Sequence, residues 1–355
     1  MHDWTTVHVD DQVEPAASTA DVIRVAGSPR TRGELHGYHA ADKIRRNIDL
    51  LDALVADHPE ADWSRLDALV ESSLEFAAGQ DPHLVDTIAG IADGADLDPR
   101  LVRRLNLPVH FLLGRIPLDC SQLYLGPGRA HGAYLTKTRD FPADRSFAQV
   151  LLHSEEEDGF RTVAGHSAGS VTWPGSGITS HGVAYSTSGV WSDRVVADPA
   201  RIGHGWLLFN GEIVARHAQD AAHFARRAAA QSRLVGINLL VADISGALSV
   251  ELTADDAAVR EATDGSLVLT NHYPTTDGTF GELGPRADEY DNTFRRARFL
   301  EESAAATTNA DLAAVARIMS SAPVCREAEP ESVSVSEYTS IADVPGRALS
   351  IRFAS

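Results

Sequence analysis

The sequence predicts an α+β fold built as one domain over residues 1–355, and three observations carry that prediction. Apolar residues recur at helical spacing through most of residues 30–115, the period shortens to that of strands at Cys120, and residues 236–252 read as a hairpin. Helices first, then antiparallel strands interrupted by a helix, then helices and strands again give segregated layers and not alternating βαβ units. No internal repeat is present.

The elements follow in order. Residues 1–20 are polar and read as a loose arm before a short strand at Val22–Val25. Ala41, Ile44, Ile48, Leu51 and Val55 share one helical face, as do Trp63, Leu66, Val70, Leu74 and Ala77, so two amphipathic helices are expected. A third spans about Leu84 to Ala92 and stops near Gly94. Asp98 can accept from the first free amides of a fourth, and Pro99 suits its first position because it has no N–H to satisfy. That helix carries Leu101, Leu105 and Phe111 before Pro117 ends it.

Strands are expected at Cys120–Leu125 and Ala133–Arg139, joined across Gly126-Pro127-Gly128, then at Phe147–His153, Phe160–Ala164, Ile178–Ser180 and Val183–Thr187. One alanine-rich helix is expected over Val214–Ser232. The hairpin turns at Ser245-Gly246 and is followed by a strand at Ser266–Leu269, helices at Tyr290–Ala305 and Asp311–Ser320, and closing strands at Val333–Tyr338 and Ala348–Phe353.

Composition narrows function. A formal charge of −19, from 31 Lys and Arg against 50 Asp and Glu, disfavours nucleic acid and anionic membranes as partners, because phosphate binding needs a basic surface. No run of about 18 apolar residues exists, and Met1-His2-Asp3-Trp4 lacks the basic and apolar regions of a secretory signal, so a cytoplasmic location is expected. Cys120 and Cys325 are the only cysteines, which excludes a disulfide framework and a cysteine-rich zinc site. The histidines show no His-x-x-x-His on a carboxylate-bearing helix. His36 and His39 stand only three apart, so no metal and no other cofactor is expected. Gly165-His166-Ser167-Ala168-Gly169 fits Gly-x-Ser-x-Gly, yet Gly169, Pro174, Gly175 and Gly177 break the helix that a nucleophile elbow requires, so a turn is expected there.

Cys120 stands where helical sequence gives way to strand, and the residues around it form a series. Gly27-Ser28-Pro29 precedes Gly33-x-x-x-Gly37; Leu105-Asn106 comes before Cys120-Ser121; Asp140-Phe141 follows about 20 residues later. Further on stand His181-Gly182-Val183-Ala184-Tyr185, Gly236-Ile237-Asn238, Val268-Leu269-Thr270-Asn271-His272-Tyr273, the arginines Arg295 and Arg298, and Val324-Cys325-Arg326. In this order the series resembles the penicillin acyltransferase-like branch of the N-terminal-nucleophile (Ntn) hydrolases, the family of acyl-CoA:6-aminopenicillanic acid acyltransferase. It is more distantly similar to bile salt hydrolases and penicillin V acylases.

The resemblance implies a four-layer αββα sandwich, made as a precursor that cuts itself between Asp119 and Cys120. A mostly helical α chain of 1–119 and a catalytic β chain of 120–355 would result, the α fragment staying as a partner. Cys120 would be the nucleophile, with its own α-amine as base, since such an amine titrates at about 8 and can accept the thiol proton. Asp140 would hold that amine, Asn271 would aim its side-chain N–H at the oxyanion, and Lys137, Ser186, Ser188 and Arg295 would face the substrate. The implied activity is cleavage or transfer of the acyl group of a small N-acyl amide through a Cys120 acyl-enzyme. An acyl-CoA or an amine is a candidate co-substrate, and self-association is left open. Three departures stand out: Asp119 where the family has glycine, Lys137 where relatives carry arginine, and Ser186 and Ser188 where they carry asparagine. The departures at Asp119 and at Ser186 and Ser188 motivate an alternative, a processing-deficient member that binds a ligand or partner without turnover.

Overall fold

The computed structural model describes residues 4–57, 62–106, 119–142, 145–172, 175–190, 211–275, 291–326 and 334–354. The expected Phe111, Pro117, Tyr290 and Val333 lie outside them. Two sheets dominate the described residues. A six-stranded sheet runs β1 (Thr5–His8), β14 (Ala348–Phe353), β13 (Ser334–Asp343), β4 (Tyr134–Pro142), β3 (Asp119–Leu125), β12 (Ser266–Leu269). An eight-stranded sheet runs β11 (Ala257–Glu261), β10 (Gly246–Leu252), β9 (Ile237–Asp243), β8 (Ala184–Gly189), β7 (Ser176–Thr179), β6 (Arg161–Ser167), β5 (Gln149–Glu156), β2 (Val22–Gly27). Among these strands all pairings are antiparallel except β2 with β5.

Alternation along the strands explains the layering, because successive side chains of a strand face opposite ways. Val22, Leu151, Ala184, Leu240 and Ala242 of the large sheet meet Val7, Tyr124, Leu135 and Leu349 of the small one in a shared core between the sheets. The intervening residues face outward. Ile23, Val25, Val150 and Leu152 pack under α1 (Pro29–Ala56), α3 (Pro82–Ala95) and α4 (Pro99–Asn106), with α2 (Trp63–Gln80) alongside. Val183, Tyr185, Leu239 and Val241 pack under α5 (Gly211–His217) and α6 (Ala221–Ala230). Leu123, Leu125 and Ile341 of the small sheet face α7 (Asp291–Ala306) and α8 (Leu312–Met319). The architecture is therefore αββα, as expected.

Local chemistry sets the helix ends. Ser28 caps α1 by accepting from Thr31 N–H, ahead of Pro29. Asp98 accepts from Arg100 N–H at 2.9 Å at the start of α4. The Gly33-x-x-x-Gly37 spacing has a packing cause: a Cβ at Gly33 would collide with the Thr87 carbonyl and one at Gly37 with the Ile91 carbonyl, so bare glycines let α1 lie directly on α3.

Three expectations are corrected. The helix expected over Val214–Ser232 is two, α5 and α6, because Asp220 leaves the helical conformation to cap α6 through His223 N–H at 2.6 Å. Part of the expected loose arm is β1, held to β14 through Thr5–His8 with Val7 and Val9 buried. Strand β11 was missed: its Ala257–Glu261 side chains are mostly exposed, so no apolar alternation marks it. Among the described residues, those before Cys120 thus supply one strand to each sheet, β1 and β2, besides four α-helices.

Candidate active site

Cys120 is the second residue of β3 and lies opposite Arg139 on β4. Opposed residues of an antiparallel pair share a face, so Cys120, Gln122, Lys137 and Arg139 all face the space between the sheets, while Asp119, Ser121 and Asp140 face the α7–α8 layer. The cysteine is buried, at 5% exposure.

The sulfur has a cation beside it. Lys137 Nζ stands 3.3 Å from Cys120 Sγ and also donates to the Thr187 carbonyl. Lys137 is buried, and that desolvation holds its ammonium below the usual lysine range, against the opposing pull of the Cys120 sulfur. Two residues along the same face, Gln122 ties β3 to β8: Ser186 Oγ donates to its Oε1 at 2.5 Å and its Nε2 donates to Ser188 Oγ at 2.7 Å. Ser188 in turn donates to the Thr270 carbonyl at 2.9 Å. Lys137, Ser186 and Ser188 are thus gathered around the start of β3. The serines reach it through Gln122, a residue the sequence reading did not single out.

Asn271 follows β12, the edge neighbour of β3, and accepts the Cys120 backbone N–H on Oδ1 at 2.9 Å. Arg296 Nη2 donates to the same oxygen at 2.8 Å, and Asn271 Nδ2 donates to the Gly189 carbonyl at 2.8 Å. Two donors on one atom fix which end of the amide faces Cys120. The side chain therefore presents an acceptor to the cysteine nitrogen. Thr293 secures the turn by accepting from Asn271 N–H at 2.9 Å.

The arginine at the site is Arg296, not the expected Arg295. Arg296 is fully buried and donates to the Cys120 carbonyl, to Ser121 Oγ at 2.9 Å and to Asp119 Oδ1 at 3.2 Å, whereas Arg295 and Arg298 sit on the exposed face of α7. Arg326, just beyond α8, completes an ion pair with Asp119 Oδ2 at 2.9 Å, and Asn292 donates to that oxygen at 3.2 Å.

Asp140 is the cross-strand partner of Asp119. Ser336 donates to its Oδ1 at 2.6 Å, and among the described residues Oδ2 has no hydrogen-bond partner. Burial pushes its carboxyl up to about 6, with Arg296 and Arg326 opposing and Asp119 reinforcing the rise. On the other face, Arg139 pairs with Glu337 through Nε at 2.7 Å, and Glu337 also accepts from Phe147 N–H at 2.6 Å and Gln149 Nε2 at 3.0 Å. Glu337 sits at a bulge in β13, where the register shifts between Ser336 and Tyr338. That lets Ser336 reach Asp140 on one face while Glu337 reaches Arg139 on the other.

Ser167 closes β6 and accepts from Arg139 Nη2 at 3.1 Å and Gln149 Nε2 at 3.2 Å, so its hydroxyl belongs to this Arg139–Glu337 network. His36 is a buried neutral imidazole. Its Nε2 accepts from Gly169 N–H at 3.0 Å, and burial, with His166 adding to it, lowers it to about 3. Among the described residues no group of three or more His, Cys, Asp or Glu could hold a metal ion. Nor is any helix among them long and apolar enough to cross a membrane. Cys325 is buried after α8, with Arg352 Nη2 at 3.2 Å from its sulfur.

No family model matches the chain, and no curated protein matches it. Among solved structures, a mutant of the conjugated bile acid hydrolase from Clostridium perfringens aligns with a TM-score of 0.39 and 12% identity, covering 63% of this chain and 86% of that one. Penicillin V acylase from Agrobacterium tumefaciens aligns with a TM-score of 0.39 and 13% identity over 64% of this chain and 80% of that one. A second variant of the Clostridium perfringens hydrolase gives 0.39 and 12% over 63% and 86%.

Proposed function

We propose that this protein is a self-cleaving cysteine amidohydrolase of the Ntn type, with Cys120 as both the point of cleavage and the nucleophile. The observation that carries the reading is the convergence on one residue: Lys137 Nζ at the Cys120 sulfur and Asn271 Oδ1 at the Cys120 nitrogen, inside the space between two sheets.

Each contact has a task in that chemistry. In the uncut chain the Cys120 nitrogen is an amide and cannot act as a base, so another group must take the thiol proton. Lys137 Nζ is within reach, and its burial favours the neutral amine that a base requires. The sulfur then adds to the Asp119 carbonyl carbon, the C–N bond breaks as the nitrogen gains a proton, and water hydrolyses the thioester to leave a free α-amine on Cys120. Asn271 Oδ1, already accepting from that nitrogen, keeps the new amine in place, and Asp140 Oδ2, which has no hydrogen-bond partner among the described residues, offers it a carboxylate. From then on the α-amine serves as base toward small N-acyl substrates, and the acyl-enzyme is released to water or, in acyl transfer, to an amine.

The direct test of the enzyme reading is a panel of N-acyl amides, with amine release followed and the acyl-enzyme sought by mass after acid quench. Turnover that disappears in Cys120→Ala, with a trapped adduct on the fragment beginning at residue 120, supports it; turnover unchanged in Cys120→Ala sinks it. A non-catalytic ligand-binding member remains the second reading, favoured by the ion pairs that hold Asp119 on the helix side of β3.

A further inference from the structure

The residue before the cleavage point is clamped as a ligand would be. Asp119 Oδ1 accepts from Arg296 Nη2 at 3.2 Å, and Oδ2 forms an ion pair with Arg326 Nη1 at 2.9 Å and accepts from Asn292 Nδ2 at 3.2 Å. These donors come from α7 and from the segment after α8, so tertiary structure builds the clamp, not local sequence. Arg296 is fully buried, and among the described residues its Nε has no hydrogen-bond partner. A guanidinium so placed is costly unless an anion compensates it. Among the described residues, the anions set against the two arginines are Asp119 and its cross-strand partner Asp140. Once the chain is cut and Asp119 withdraws, two cations face one carboxylate among the described residues, which leaves room there for a single negative charge.

Self-cleavage and substrate cleavage put their acyl carbons in the same place. In both, the Cys120 sulfur bonds to that carbon, the C–N bond breaks, and the departing nitrogen takes the proton that left the thiol. The group that Asp119 presents to the sulfur is an acyl chain whose carboxylate lies two carbons from the scissile carbonyl. Resting on the hydrolase reading above, we infer that Arg296, Arg326 and Asn292 form an acyl-carboxylate subsite, occupied by Asp119 before processing, and that the substrates are amides of the N-succinyl or N-α-aspartyl type. Arg326 is the specificity-determining residue of the three, since Arg296 also holds the Cys120 carbonyl and Asn271.

Two measurements on the full chain test this separately from the hydrolase reading. In Cys120→Ala, which cannot cleave, Asp119 fills the clamp; adding Asp119→Gly empties it. Calorimetric titration with succinamate should show no binding to Cys120→Ala and saturable binding to the double variant. Adding Arg326→Gln should weaken that binding at least 10-fold, adding Arg326→Lys should weaken it less, and butyramide, which lacks the carboxylate, should bind the double variant at least 10-fold more weakly. Equal binding of succinamate and butyramide to a double variant that melts like Cys120→Ala would overturn the subsite. In the processed wild type, kcat/KM for an N-succinyl amide should exceed that for the N-butyryl amide of the same amine at least 10-fold, a preference that collapses in Arg326→Gln. Equal turnover of the two would end the inference and leave the hydrolase standing. Carboxylate-dependent binding in a protein that turns over neither amide would support the subsite and end the hydrolase.

Discussion

Lys137 Nζ lies 3.3 Å from Cys120 Sγ, across the β3–β4 ladder and within the space between the sheets. The pair distinguishes a base from a mere cation. Lys137→Met should slow appearance of the cut chain by about 100-fold or more, the usual worth of a general base. Lys137→Arg should not restore the rate, because a guanidinium keeps its charge and does not take the thiol proton. Incubating freshly purified variants and following the intact chain by denaturing gel measures both; full recovery in Lys137→Arg would reassign the lysine to electrostatic support.

Arg296 and Arg295 are neighbours in sequence and opposites in setting. Arg296→Ala removes a buried donor to Cys120, Ser121, Asp119 and Asn271, and should lower unfolding stability by about 3–5 kcal/mol and block cleavage. Arg295→Ala, on the exposed face, should stay within about 0.5 kcal/mol of wild type and cleave normally. Urea unfolding midpoints at unchanged slope, with the gel assay alongside, compare the two.

The contrast also shows how much of the site was legible in the sequence. Cys120 was marked by the change of period, and Asn271 by the Thr270-Asn271 of the resemblance, just past a strand. Arg296 was legible as well: the buried positions of α7 include Thr293, Ala297, Leu300 and Ala304, a helical stripe that takes in 296 and leaves 295 and 298 outside. Pairing the arginines without reading the stripe chose the wrong neighbour. Gln122 and Glu337 carried no such signal, because their partners are 64 and 198 residues away and only sheet register and a bulge bring them together; Arg326 stood in the Val324-Cys325-Arg326 motif, but its partner Asp119 is 207 residues away. The strand expected as a loose arm and the exposed β11 were illegible for a related reason: short edge strands gain their order from a neighbour.

Asp140 gives a pH signature in the uncut protein, best measured on Cys120→Ala. Its buried carboxyl titrates at about 6 in the fold against about 4 when unfolded, so the folded state holds the proton more tightly. That contribution to stability is fully present below pH 4 and is lost as pH rises through about 6. Adding Asp140→Asn should remove this component: the stability difference between Cys120→Ala and the double variant should shift against Cys120→Ala from pH 4 to pH 7. A difference that stays constant across that range would contradict the assigned burial.

Glu337 holds Arg139, the residue directly across from Cys120, in a buried pair. Glu337→Ala strands that guanidinium without its carboxylate and should cost about 3–5 kcal/mol. The double variant Arg139→Met/Glu337→Leu, which removes both charges, should recover much of the loss. Thermal melts of the two at one pH decide between a structural pair and a merely incidental contact.

The central claim is that the Asp119–Cys120 bond is cut by Cys120 itself, and intact-mass measurement under denaturing conditions tests it most directly. Purified wild-type protein should give two species that sum to the full chain plus one water, with the larger beginning at Cys120, while Cys120→Ala gives one uncut chain. A single uncut chain in wild type and Cys120→Ala alike, after prolonged incubation of folded protein, would contradict the account.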